Sequence, residues 1–128
     1  MKSEGGSLTP LIAAVVALVA LAAVATASLA VVYTARVKAV TAADASALAA
    51  AAGTYPATGV GLPAVAARRA AEANGAELVS CRCSLDSSLH PREVTVVAAV
   101  SADLPVLGRL RIRAASRAEF EPLVWLSR

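Results

Sequence analysis

The sequence predicts an α+β fold: a long N-terminal transmembrane helix running on into a small domain of a second helix and a three-stranded antiparallel sheet. Three observations predict it. No charged residue occurs from Gly5 to Ala35, and the Ala-rich stretch that follows holds no helix breaker before Gly53. A second helical segment is bracketed by Pro63 and by Asn74-Gly75. Beyond it the apolar residues change to alternate spacing, the pattern of a strand with one buried face.

Residues 1–9 read as a short leader and 10–35 as the spanning segment. From Leu11 to Val32 nearly every residue is Ala, Val, Leu or Ile, with Thr26 and Ser28 the only polar side chains. Pro10 suits the first turn of a helix, where its missing N–H has no intrahelical partner anyway. A helix from Pro10 to Ala35 is roughly 39 Å long at ~1.5 Å per residue. The hydrocarbon layer of a bilayer is ~30 Å thick. A buried soluble helix is the weaker reading, because the rest of the chain is too short to surround such a rod.

A secretory signal competes with the anchor. Ala25-Thr26-Ala27 has the A-x-A form of a peptidase site, and Ser28 follows it. Cleavage there would release a small secreted binding module. Against this, Lys2 is offset by Glu4, and the apolar run continues past the site from Leu29 to Tyr33.

Arg36 to Ala52 keeps high helix propensity and extends the rod into water. Val37, Val40, Ala47, Leu48 and Ala51 give it an apolar stripe. Residues 53–62 form a loop rich in Gly and Pro. In the second helix Leu62, Val65, Ala66, Ala70 and Ala73 make the apolar side, with Arg68, Arg69 and Glu72 toward water. Residues 63–120 make up the small α+β domain. Its strands are Ala76–Cys83, Glu93–Ser101 and Arg109–Phe120, joined by turns that hold Pro91, Pro105 and Gly108. The tail, residues 121–128, carries Pro122 and Trp125 and receives no assignment.

Composition narrows the function. Of 128 residues, 33 are Ala and 17 are Val, while aromatics make up 3%. The chain is too apolar for a disordered tail, and the core of its soluble part is thin, so marginal stability without partners is expected. A net charge of +3 is not that of a dedicated nucleic-acid binder, and no aromatics interleave with the basic residues to stack bases. Nucleic acid is therefore not an expected partner.

No phosphate loop or nucleophile elbow occurs. Asp86, Ser87, Ser88 and His90 hold the residue types of a hydrolytic triad, but one short loop reads better as a polar turn. No enzyme activity, cofactor or small-molecule substrate is expected. Zinc is not expected either, since His90 is the one histidine and no second Cys pair exists.

Three groups of residues stand out as sites. Small residues at Ala13-Ala14, Ala22-Ala23 and Ala25-Thr26-Ala27 allow neighbouring helices to approach closely in a bilayer. Cys81 and Cys83 point to one face of a strand. They read as a strained local disulfide, as partners of cysteines on another chain, or as two small buried apolar residues. Arg109, Arg111, Arg113 and Arg117 line one strand face. That face reads either as a binding surface for an anionic partner or as a solvated face that blunts an edge strand.

Several of these features together resemble actinobacterial TadE/TadG-like proteins, small pilin-like components of Tad/Flp-type pili or secretion machines. They are Gly5-Gly6-Ser7 before the apolar run, the segment Ala43–Ala52, the segment Ala66–Cys83, and the basic alternating strand. The resemblance implies a cytoplasmic leader, a single-pass helix in the cell membrane and a small extracytoplasmic domain. Implied partners are the lipid bilayer and other pilin-like or secretion subunits. It points to Gly6 and Ser7 as a leader-processing site, although cutting there puts Leu11 at the fifth mature position, where pilins carry Glu. A count of Lys2 against Arg36 and Lys38 favours the opposite orientation.

Overall fold

A computed structural model describes residues 8–128. α1 (Leu8–Gly53) is one helix of 46 residues. A 3-10 turn (Pro56–Thr58) leads to α2 (Pro63–Ala73), then β1 (Glu77–Arg82), β2 (Arg92–Leu104), β3 (Gly108–Phe120) and α3 (Pro122–Leu126). The strands form one antiparallel sheet in the order β1-β2-β3. The fold is α+β: the second half of α1 lies against β2 and β3, and α2 against α1 and β1.

The face that α1 buries is made of small residues. Ala35, Ala39, Ala42 and Ala43 pack on Ala98, Val100, Ala102 and Ala114. Further along, Ala47, Ala50 and Ala51 pack on Ala67 of α2 and on Val94 and Val96. The stripe expected from the sequence is thereby corrected. Ala47 and Ala51 are buried, but Val37, Val40 and Leu48 point outward, with Leu48 67% exposed. Alanine methyls let the helix settle close to the sheet, whose valines fill the space between. A branched side chain on that face would hold the two apart.

The same rule governs α2. Its buried residues are Pro63, Ala67 and Ala71, whereas Leu62, Val65 and Ala73 are exposed. The expected stripe is turned by about one residue. The cause is the tight crossing where α1 ends: a Cβ on Gly53 would meet Pro63 Cα at 2.9 Å. Pro63 opens α2 and Gly75, at φ 70°, follows its end, where the Ala76 N–H donates to Ala71 O at 3.0 Å.

β1 carries a bulge between Leu78 and Ser80. It resets the alternation, so that Leu78 before it and Cys81 after it both pack on the core. β2 runs on to Leu104, three residues past the expected end, and the hairpin tip shrinks to Pro105-Val106-Leu107. The unassigned tail becomes α3. Its Trp125 joins Tyr55 and Phe120 in an aromatic group at the end of the domain farthest from Leu8, with both ring pairs 6.2 Å apart.

Ser46 sits in the alanine face, fully buried, with no hydrogen-bond partner for Oγ among the described residues. Ser46→Ala should raise stability by ~1 kcal/mol, because the hydroxyl loses water and gains nothing. Ala42→Leu should lower it by ~1–3 kcal/mol through overpacking. Leu48→Ala should change it by less than ~0.5 kcal/mol. Thermal unfolding in detergent measures all three.

Candidate functional site

The largest feature open to a partner is the first part of α1. From Leu8 to Thr34 no residue is buried by the chain itself, and the helix is long and apolar enough to cross a membrane. The hydroxyls of Thr26, Ser28 and Thr34 are satisfied within the helix. Thr26 Oγ1 donates to Ala22 O and Ala23 O, both at 3.0 Å, and Ser28 Oγ to Val24 O at 2.8 Å. Thr34 Oγ1 donates to Ala30 O at 2.8 Å. In hydrocarbon no water replaces such bonds, so this is how a polar side chain survives there.

The small residues of this segment do not share one face. Eighteen residues make about five turns of helix, so Ala22 and Thr26 lie in line with outward-facing Val40 and Asp44, and Ala23 beside them. Ala14 and Ala25 lie in line with buried Ala50 and Ala43, on the side that faces the sheet. Ala13 and Ala27 fall on the flanks between. Gly6 and Ser7 lie outside the described residues.

The arginine stripe lies on the outer face of the sheet, away from α1, and most of it is paired. Arg109 Nε meets Asp103 Oδ1 at 3.0 Å, Arg111 meets Glu77 Oε2 at 2.8 Å, and Arg117 meets Glu93 Oε1 at 3.5 Å. The Arg111–Glu77 pair reaches across β2 and covers Ala99, which is 3% exposed. Among the described residues Arg113, Arg36 and Lys38 have no carboxylate partner. Arg36 donates to the Arg113 carbonyl at 3.3 Å, which caps a backbone acceptor on edge strand β3. These three cations sit just beyond the apolar segment, where a groove of about 340 Å³ opens between Ala30, Thr34 and Lys38 of α1 and Val100 and Ala102 of β2.

Cys81 and Cys83 are joined to each other as a disulfide, with Cα atoms 5.4 Å apart. Both also pack against the core, so pairing and apolar filling coexist. The loop from Asp86 to His90 is a polar turn. The Ser88 N–H donates to Asp86 Oδ1 at 2.8 Å and its hydroxyl to Oδ2 at 3.0 Å. The Arg92 guanidinium donates to the carbonyls of Asp86 and Ser88 and lies 5.8 Å from the Tyr55 ring centroid. His90 accepts from the same guanidinium through its backbone carbonyl, and among the described residues no hydrogen bond joins its ring to Asp86 or Ser88.

No protein-family model, curated protein or solved structure matches the chain. The site therefore rests on its own geometry. One part of that geometry escaped the sequence reading. Leu104-Pro105-Val106-Leu107 is an apolar run at a hairpin tip, a place where turns are ordinarily polar. Its position between Asp103 and Arg109 was the available signal.

The Asp86 carboxyl is held below its ordinary value of 3.8, first by the Ser88 N–H, then by the Ser88 hydroxyl, with Arg92 adding to it. A lowered carboxyl contributes stability above its ordinary value and loses it as pH falls through the lowered one. The Ser88 amide resonance should therefore move toward its unstructured position only below pH 3.8, and Asp86→Asn should abolish that transition. Arg111→Gln should cost ~1 kcal/mol or less, as for other exposed pairs.

Proposed function

We propose that this protein is a membrane-anchored, pilin-like structural or assembly component of a Tad/Flp-type pilus or secretion apparatus. It is single-pass, with its folded domain on the extracytoplasmic side, and it performs no catalysis. One observation carries the reading: a single unbroken helix supplies both the uncovered apolar segment and the floor of the folded domain. Anchor and domain are thus mechanically one piece, as a subunit held in a bilayer and passed into an assembly requires. The disulfide between Cys81 and Cys83 fits an oxidising compartment.

Assembly on this reading is lateral. The outward side of α1 carries small Ala22, Ala23 and Thr26 in the membrane, then Tyr33, Val37, Val40 and Leu48 beyond it, all exposed. Small residues allow close helix contact in lipid, where apolar bulk alone gives no drive to associate. The larger ones give buried area in water.

The secreted-module reading needs a peptidase to open the chain at Ala27. That residue lies inside the helix, flanked by Thr26 and Ser28, whose side chains are bonded back to the preceding turn. The helix favours the anchor.

The N-terminus of the protein recovered from its native membrane separates the two readings. A start at Met1 or Ser7, with retention in the membrane after alkaline washing, is the expected outcome. A start at Ser28 would overturn the anchor. Ala22→Leu with Thr26→Leu should weaken co-purification with sister subunits, while Ala25→Leu, on the other side, should leave it unchanged. Equal loss from both would remove the outward face as the packing surface.

A further inference from the structure

β2 runs antiparallel to α1. Val94 and Val96 pack beside Ala47–Ala51, and Ala102 lies beside Ala30–Ala35. The strand therefore heads toward the apolar segment, and its hairpin continues past the last core contact. Leu104, the last residue of β2, stands two residues beyond Ala102, roughly 7 Å of extended chain, and the turn Pro105–Leu107 lies past it. That length along α1 is about four to five residues. That puts the tip alongside the uncovered apolar part of the helix, below Ala30.

The tip is built for such a place. Val106 is 90% exposed and Leu107 76%. Leu104 and Leu110 continue the apolar surface on the strand face turned toward α1. Val106 has φ 74°, a left-handed conformation that a β-branched residue rarely adopts and that Gly or Asn would take easily. The position keeps an apolar side chain against its backbone preference. The carboxylate nearest the tip, Asp103, is neutralised by Arg109 at 3.0 Å.

Above the tip stand three cations. Arg36 touches the Arg113 carbonyl, Lys38 rims the groove beside Val100 and Ala102, and none of the three has a carboxylate partner among the described residues. Tyr33, 73% exposed, lies just below them on α1, at the level where aromatic rings favour a membrane interface. The segment from Leu8 to Thr34, which holds no buried residue, measures ~40 Å, about 10 Å more than the hydrocarbon layer needs. That surplus leaves room for the hairpin to lie at the interface beside α1.

We propose that the β2–β3 hairpin is a second membrane contact. Its apolar tip enters the acyl boundary of the bilayer that α1 spans, and Arg36, Lys38 and Arg113 hold anionic lipid headgroups. The occupant of this surface is lipid: the tip continues the apolar surface of α1, and the cations behind it match phosphate. Two attachments fix the tilt and rotation of the domain on the membrane, which a single helix leaves open. The proposal rests on the anchored reading above.

Full-length protein in phosphatidylcholine vesicles with phosphatidylglycerol tests it. An environment-sensitive fluorophore is attached at Val106→Cys, and at Leu107→Cys in case the first change disturbs the hairpin. Leu18→Cys reports on α1 and Ser87→Cys on the far end of the domain. In vesicles of acyl-brominated lipid, the probes at 106, 107 and 18 should lose most of their emission, and the probe at 87 should keep it. Bright probes at 106 and 107 beside a quenched probe at 18 overturn the hairpin contact and leave the anchor standing. A bright probe at 18 overturns both. Energy transfer between labelled copies at 106, without quenching by lipid, assigns the tip to a second copy and overturns the lipid contact. Arg36→Gln with Lys38→Gln and Arg113→Gln should reduce quenching at 106 in anionic vesicles. Unchanged quenching there would remove the headgroup part of the proposal.

Discussion

The close approach of α1 to the sheet is the constraint on which the rest of this structure depends. It is achieved with methyl groups: Ala35, Ala39, Ala42, Ala43, Ala47, Ala50 and Ala51 form a face with nothing larger than a serine in it. The largest fully buried side chains among the described residues are Val94 and Val96. A core of this kind buries little area per residue and gains its stability from tight contact, so its tolerance of added volume is low. The crossing of Gly53 over Pro63 is the extreme case, since backbone meets backbone with no room for a side chain.

That choice has a consequence for the outside of the molecule. Because α1 spends its alanines inward along the folded domain, Val37, Val40 and Leu48 face out there, and in the apolar segment the chain covers neither its alanines nor its Val and Leu residues. In an isolated soluble domain this arrangement would be a liability. In a helix standing in a bilayer among similar helices it provides the contact surface. The proposed assembly role and the thin core follow from one distribution of side-chain sizes. The hairpin repeats the pattern, with exposed apolar residues at its tip and cations one level above, the arrangement on which the proposed lipid contact rests.

Much of the fold was legible in the sequence because its signals are periodic or chemical. Alternation from Arg109 to Phe120 marked β3, and Pro63 with Asn74-Gly75 marked the ends of α2. The buried faces were harder to read. Hydrophobic scales rank Val and Leu above Ala, so they nominate Val40, Leu48 and Val65 for the interior, whereas helix separation decides in favour of Ala. The bulge at Val79 was visible only as a conflict of parity between Leu78 and the two cysteines. The pairing of the arginines with Asp103, Glu77 and Glu93 depends on register and cross-strand reach, which no local pattern encodes. The outward set of small residues in α1 likewise required the phase of the helix, which the folded half fixes for the apolar half.

The central claim is that the apolar segment and the floor of the domain are one rigid helix. A pair of spin labels tests it most directly, one at Leu18→Cys and one at Leu48→Cys, both exposed positions of α1, in full-length protein reconstituted in lipid. Thirty residues of straight helix span ~45 Å, and the account predicts a single narrow distance distribution near that value. A broad distribution, or one centred well below it, would show a joint between anchor and domain and contradict the account.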